Sequence, residues 1–147
     1  MRSTKSAAIV DEPVLYADAS ALVKLVRDEP ESPALRAYIS GANLVSSELI
    51  LTEIPRAVRR VAVRDRTPSL ALLLARAAHL IDALALRPID RALLAVAGAI
   101  SEPALRTLDA IHVASAVELD PATFVTYDER QAAAARLAGL RTMAPGQ

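Results

Sequence analysis

Short runs with strand character alternate with Ala- and Leu-rich helical runs along the chain, which predicts an α/β protein with a short, mainly parallel sheet. Two bulk observations agree. A length of 147 residues suits one domain with a single core. The hydrophobic fraction is 53% with only 3% aromatics, and its Ala and Leu are strong helix formers, so helices should supply the flanking layers.

The elements follow in order. Residues 14–17, Val-Leu-Tyr-Ala, read as a buried strand, with Asp18 next and then a helical run from Ala19. Pro30 and Pro33 end that helix in a turn over residues 28–33. Ser32 and Pro33 suit the cap and first turn of a second helix to about Ser40, which Gly41 closes. Residues 43–46 are a second strand, and Ser47 is a candidate cap for a helix over about 48–64. Thr67-Pro68-Ser69 punctuates before a helix over 69–82. A weak strand at 84–86 precedes a helix over 91–100 capped by Asp90, and Glu102-Pro103 breaks the chain again. A helix over 107–119 carries Leu108, Ile111, Ser115 and Leu119 on one side. Residues 123–126 form a clear strand, Asp128 starts a helix to Leu137, and a last strand falls near 141–143.

Several classes are disfavoured. The most apolar stretch, 70–86, is interrupted by Arg76, His79 and Asp82, whereas a membrane span needs roughly 20 nearly unbroken apolar residues. Arg2 and Lys5 precede an apolar run of residues 7–10 only, too short for a secretory signal, so residues 1–13 read as an N-terminal extension of a domain over 14–147. Without cysteine there are no disulfides and no thiolate ligands, and a cytoplasmic location is expected. Lys plus Arg and Asp plus Glu both number 17, which argues against broad, non-specific nucleic-acid binding.

Four acids stand out. Asp18 and Asp128 each follow a strand and start a helix, and ligands of parallel α/β sheets bind at those carboxyl edges. Each also reads as a helix cap, worth about 0.5–2 kcal/mol. Asp109 sits in an apolar helix, where a carboxylate costs several kcal/mol unless it is paired or binds a metal. It also reads as an acid of that helix's first turn. His112, one turn on, reads as a packed, hydrogen-bonded core residue, because zinc sites want three or four clustered ligands. Glu53 reads as a surface residue paired with Arg56, or as a fourth member of the acidic set. Arg56, Arg60 and Arg64 form a stripe on one helix, suited to RNA phosphates, to an acidic partner or simply to solvent.

Three stretches carry a resemblance. They are Tyr-Ala-Asp18-Ala-Ser20-Ala-Leu-Val-Lys-Leu, Leu-Arg-Thr-Leu-Asp109-Ala-Ile-His112-Val-Ala-Ser-Ala and Phe-Val-Thr126-Tyr-Asp128-Glu-Arg-Gln-Ala-Ala-Ala-Ala. Their order and spacing over residues 14–143 resemble PIN-domain ribonucleases, and more narrowly the VapC toxins of type II toxin–antitoxin pairs. The resemblance implies a PIN-like α/β/α fold. It matches Asp18, Glu53, Asp109 and Asp128 to the family's metal-site acids, with Ser20 and Thr126 as supporting hydroxyls. Pro55 departs from the family pattern within the helix of Glu53, so the helix either starts near Thr52 or kinks, with Glu48 as the substitute for Glu53.

Crowded carboxylates without Cys favour Mg²⁺, with Mn²⁺ as a substitute. The expected reaction is metal-assisted hydrolysis of RNA phosphodiester bonds. The resemblance implies a VapB-type antitoxin over the acidic groove, a homodimer and a toxin–antitoxin hetero-oligomer. The Leu- and Ala-rich helices over 48–82 offer docking faces or ordinary core. Two rivals stand beside the nuclease: a catalytically silent PIN-fold RNA-binding or interaction module, and a receiver-like protein phosphorylated on Asp18. The receiver needs a second acid beside the acceptor, and Asp18 has Ala17 and Ala19.

Overall fold

The computed structural model describes residues 11–66 and 69–147 and places five parallel strands in one sheet. The strands are β1 (Val14–Ala17), β2 (Asn43–Ser47), β3 (Ala85–Arg87), β4 (Thr123–Val125) and β5 (Thr142–Met143), in the spatial order β3-β2-β1-β4-β5. The helices are α1 (Ala19–Val26), α2 (Ser32–Ile39), α3 (Ile50–Asp65), α4 (Leu70–Asp82), α5 (Arg91–Gly98), α6 (Thr107–Leu119) and α7 (Glu129–Leu137). Residues 1–10 of the expected extension and the Thr67-Pro68 punctuation lie outside the described residues.

The period-2 pattern of β1 divides the core. Leu15 and Ala17 face one side and pack with Leu22 of α1, Leu35 of α2, Ile50, Ile54 and Val58 of α3, and Leu73 of α4. Tyr16 faces the other side and packs with Phe124 of β4, Val113 and Ala116 of α6, and Ala134 and Ala135 of α7. Helices α1 to α4 therefore cover one face, while α6 and α7 cover the other, with α5 packed on α6. This is the expected α/β/α arrangement.

The central strand sets the position of the site. From β1 the chain builds outward through β2 and β3, then returns to place β4 on the other side of β1. The connections after β1 and β4 leave toward opposite faces, so a crevice opens between the carboxyl ends of these two strands. Parallel register puts Ala17 level with Val125, and Asp18 N–H donates to the Val125 carbonyl at 3.3 Å. Asp18 and Thr126 consequently leave the sheet side by side.

Several boundaries differ by one or two residues, as helix ends commonly do. Two differences matter more. Helix α3 starts at Ile50, two residues before Thr52, and continues through Pro55. Proline withholds the amide that the Leu51 carbonyl would use, but Leu51 lies on the exposed side, where water can serve it. Ser47 does not cap this helix in the expected way: Leu49 is the cap residue, and Ser47 Oγ accepts from the Leu49 amide at 3.3 Å. Helix α6 is buried from Ile111 through Ala116 almost all round, while Leu108 is 48% exposed. The single apolar side expected there is absent because α5, α7 and the sheet enclose the helix.

Candidate active site

Asp18 ends β1 and caps α1, with its side chain wholly buried. Its Oδ1 accepts from the Ala21 amide at 3.0 Å and from Ser20 Oγ at 2.6 Å. Its Oδ2 accepts from Thr126 Oγ1 at 2.5 Å. Burial pushes this carboxyl above the ordinary aspartate range, and His112 with the donors from Ser20, Thr126 and Ala21 opposes that push. Each carboxylate oxygen has about two acceptor sites, so Oδ2 retains one.

Thr126 connects this corner to the next acid. Its Oγ1 donates to Asp18 and accepts from the Asp128 amide at 3.1 Å. Asp128 caps α7, and its Oδ1 accepts from the Arg130 and Gln131 amides at 2.9 and 3.3 Å. Asp128 thus performs the capping role and still borders the crevice, with its side chain 30% exposed.

Asp109 lies in the first turn of α6 and is half-buried. Gln131 Nε2 donates to its Oδ1 at 2.9 Å. Its Oδ2 is buried with no hydrogen-bond partner among the described residues. Desolvation, followed by repulsion from Asp128, raises its carboxyl above the ordinary range.

Glu53 forms no surface pair with Arg56. Its Oε2 lies 2.6 Å from Nε2 of the fully buried His112, whose Nδ1 lies 2.7 Å from the Tyr16 hydroxyl. Glu48 does not substitute for it: Glu48 Oε2 accepts from the Ile89 amide at 3.0 Å and secures the loop after β3. The Pro55-containing helix therefore presents Glu53, and not Glu48, to this region.

Three of the four acids form an arc joined by shared hydrogen-bond partners: Asp18 to Asp128 through Thr126, and Asp128 to Asp109 through Gln131. His112 bonds Glu53 and acts electrostatically on both Asp18 and Asp109. Among the described residues, no three acidic or histidine side chains stand close enough to share one ion directly.

A cleft of about 450 Å³ adjoins Glu53 and is lined by Ser20, Val23, Thr52, Arg56, Arg60 and Leu108, among others. The arginine stripe divides here. Arg56 and Arg60 line the cleft, while Arg64 is held by Asp65 at 2.8 Å.

Sequence reasoning assigned no site role to Tyr16, His112 or Gln131. His112 is a packed, hydrogen-bonded histidine as expected, but its partner is one of the four acids. Gln131 sits three residues after the cap Asp128, the spacing of a capping box. Its side chain would then return to the Asp128 amide, but Thr126 occupies that donor and Gln131 turns to Asp109.

The PIN domain family model matches residues 15–137. Ribonuclease VapC46 of Mycobacterium tuberculosis (strain ATCC 25618 / H37Rv) is 40% identical over 134 residues, covering 89% of this chain and 97% of that protein. Ribonuclease VapC47 of the CDC 1551 / Oshkosh strain is 34% identical over 140 residues, covering 90% and 98%. A solved structure of FitAB bound to an IR36 DNA fragment shares the fold with a TM-score of 0.57 at 15% identity, over 88% of this chain and 93% of that one.

Proposed function

The chain belongs to the PIN-domain family, among its VapC members, and on that premise we propose that it is the endoribonuclease toxin of a type II toxin–antitoxin pair. In this reading Asp18, Glu53, Asp109 and Asp128 hold Mg²⁺, or Mn²⁺ in its place, for hydrolysis of RNA phosphodiester bonds. The observation that carries it is Asp109 Oδ2, a buried carboxylate oxygen without a donor, on an acid that Asp128 further destabilises in its charged form. Natural proteins rarely leave such an atom unpaired without a functional reason.

The donor set fits the ion. All four side chains offer oxygen, and Mg²⁺ commonly binds one or two carboxylates, several waters and substrate phosphate rather than a closed protein cage. When bound, the ion supplies an activated water and neutralises charge developing on the phosphate. The chain's own residues do the remaining work. Asp109 and Asp18 each offer an oxygen with a free acceptor site, and Asp128 and Glu53 border them. Ser20 and Thr126 keep Asp18 in one rotamer. Arg56 and Arg60 hold flanking RNA phosphates along the cleft, a role from which Arg64 is diverted.

Inhibition by a VapB-type antitoxin over this groove, homodimerisation and a toxin–antitoxin hetero-oligomer belong to the same proposal. So does a cytoplasmic location; no helix among the described residues is long and apolar enough to cross a membrane. A receiver-like role is disfavoured because the acceptor would need a second acid beside it, and Asp18 has Ala17 and Ala19. The silent-module alternative is separated by experiment. Purified chain free of antitoxin is incubated with total RNA and Mg²⁺ or Mn²⁺. Defined RNA ends that vanish with EDTA and in Asp109→Asn are expected. RNA binding without cleavage at any concentration of either ion would leave the silent module.

A further inference from the structure

We propose that His112 is a positioning residue that fixes the carboxylate of Glu53 beside the cleft through a buried Tyr16–His112–Glu53 chain. The inference rests on Glu53 belonging to the RNA-cleaving site and adds the device that aims it. Three elements meet here: β1 supplies Tyr16, α6 supplies His112 and α3 supplies Glu53. The contacts are 2.7 Å from the Tyr16 hydroxyl to His112 Nδ1 and 2.6 Å from His112 Nε2 to Glu53 Oε2.

The proton positions follow from chemistry. A carboxylate only accepts, so Nε2 carries a hydrogen and donates it to Glu53. Nδ1 is paired with the Tyr16 hydroxyl, so both ring nitrogens are held in hydrogen bonds. The ring cannot swing away. Tyr16 meets it edge-on, with centroids 5.9 Å apart, and Tyr16 is itself stacked on Phe124 at 5.0 Å. His112 and Tyr16 are both fully buried, while the Glu53 side chain is 22% exposed. His112 therefore has no face toward a substrate, and both its nitrogens are committed.

Glu53 has particular need of such a clamp. It lies in the first turn of α3, two residues before Pro55, where the helix lacks one backbone hydrogen bond. Without a partner, its flexible side chain would sample several rotamers over the cleft. Outer partners of metal-binding side chains typically change metal affinity or activity about 10–100-fold when removed.

The test uses the full chain and reads Mn²⁺ affinity by electron paramagnetic resonance alongside RNA cleavage. In His112→Ala both should fall about 10–100-fold. His112→Gln, which retains an N–H donor, should recover part of the loss, and Tyr16→Phe should lose only a few-fold. In a Glu53→Ala background, His112→Ala should cause no further loss, because it acts through Glu53. Losses that multiply in the double variant, or wild-type Mn²⁺ affinity in both His112→Ala and Tyr16→Phe, would overturn the proposal. Should His112→Ala fail to fold, His112→Gln and Tyr16→Phe decide the matter. Proton NMR of the His112 Nε2–H requires neither metal nor RNA. A downfield resonance that moves upfield in Glu53→Ala supports the link, and an unchanged resonance refutes it. A wild-type chain that binds no Mn²⁺ and cuts no RNA would instead overturn the ribonuclease reading, leaving the NMR result to stand by itself.

Discussion

The two corners of the acidic crevice treat their carboxylates in opposite ways. At the end of β1, Asp18 is wholly buried yet accepts three hydrogen bonds, from Ser20, Ala21 and Thr126. At the start of α6, Asp109 has one donor, Gln131, an orphaned oxygen and a repelling neighbour in Asp128. At the first corner both carboxylate oxygens already have donors from the fold. The second is left under-partnered, which is how a protein keeps a site ready for an external charge. Asp18 thus serves structure as well as the proposed chemistry, while Asp109, in the proposed site, is held at a cost in stability.

The largest expected effect breaks the two corners apart. Asp18→Ala and Asp109→Asn should each reduce RNA cleavage by at least about a hundredfold, the upper end of what outer-sphere partners contribute. Their stabilities should move in opposite directions in metal-free buffer. Asp18→Ala strips three donors of their acceptor and should lower the melting temperature. Asp109→Asn retains the acceptor for Gln131, removes the repulsion from Asp128 and should raise it. Thermal unfolding with EDTA checks both, and a lower melting temperature for Asp109→Asn would dissolve the contrast.

Next comes Thr126→Val, which keeps the shape and deletes the hydroxyl joining Asp18 to Asp128. Leaving a buried carboxylate oxygen without its donor costs about 1–3 kcal/mol. Gln131→Ala at the more solvated corner should cost less, and urea unfolding ranks the two.

A pH dependence sharpens the same comparison. Asp18 and Asp109 both have carboxyls raised above the ordinary value of 3.8, primarily by burial. In the window above that value, the folded state holds protons that the unfolded state has released. Stability from these groups is therefore present at low pH and falls as pH rises through their folded values. Asp109→Asn should flatten part of this slope, and the part that remains belongs to Asp18. Saturating Mg²⁺ should flatten the Asp109 part as well. Urea midpoints between pH 4 and pH 7 measure it.

The smallest effect separates the arginines. Arg60→Ala should reduce the salt dependence of RNA binding by about one counterion, whereas Arg64→Ala should leave it unchanged. Binding titrations at several salt concentrations distinguish them.

Local patterns made much of this legible beforehand. Asp18 and Asp128 were visible because a strand, an acid and a helix start in succession obey short-range rules, and both residues cap their helices. The parallel sheet was visible from the alternation of elements. The role of His112 was not, because a histidine in a helix buried almost all round has no periodic face that names its partner. Whether Glu53 or its substitute Glu48 faces this region was equally hidden, since both lie near the start of one helix and only their distant partners, His112 and Ile89, distinguish them.

The sequence by itself determined where the strand ends and helix caps put Asp18 and Asp128, because those arrangements close within a few residues. Only the tertiary structure decided what completes the crevice. Thr126 reaches Asp18 across 108 positions, His112 reaches Glu53 across 59, and Gln131 abandons its own helix cap for Asp109. Such bonds depend on the order in which β1 and β4 pair and on the two helical layers they bring together. Helical and strand periodicities identify a buried face but not what it is buried against.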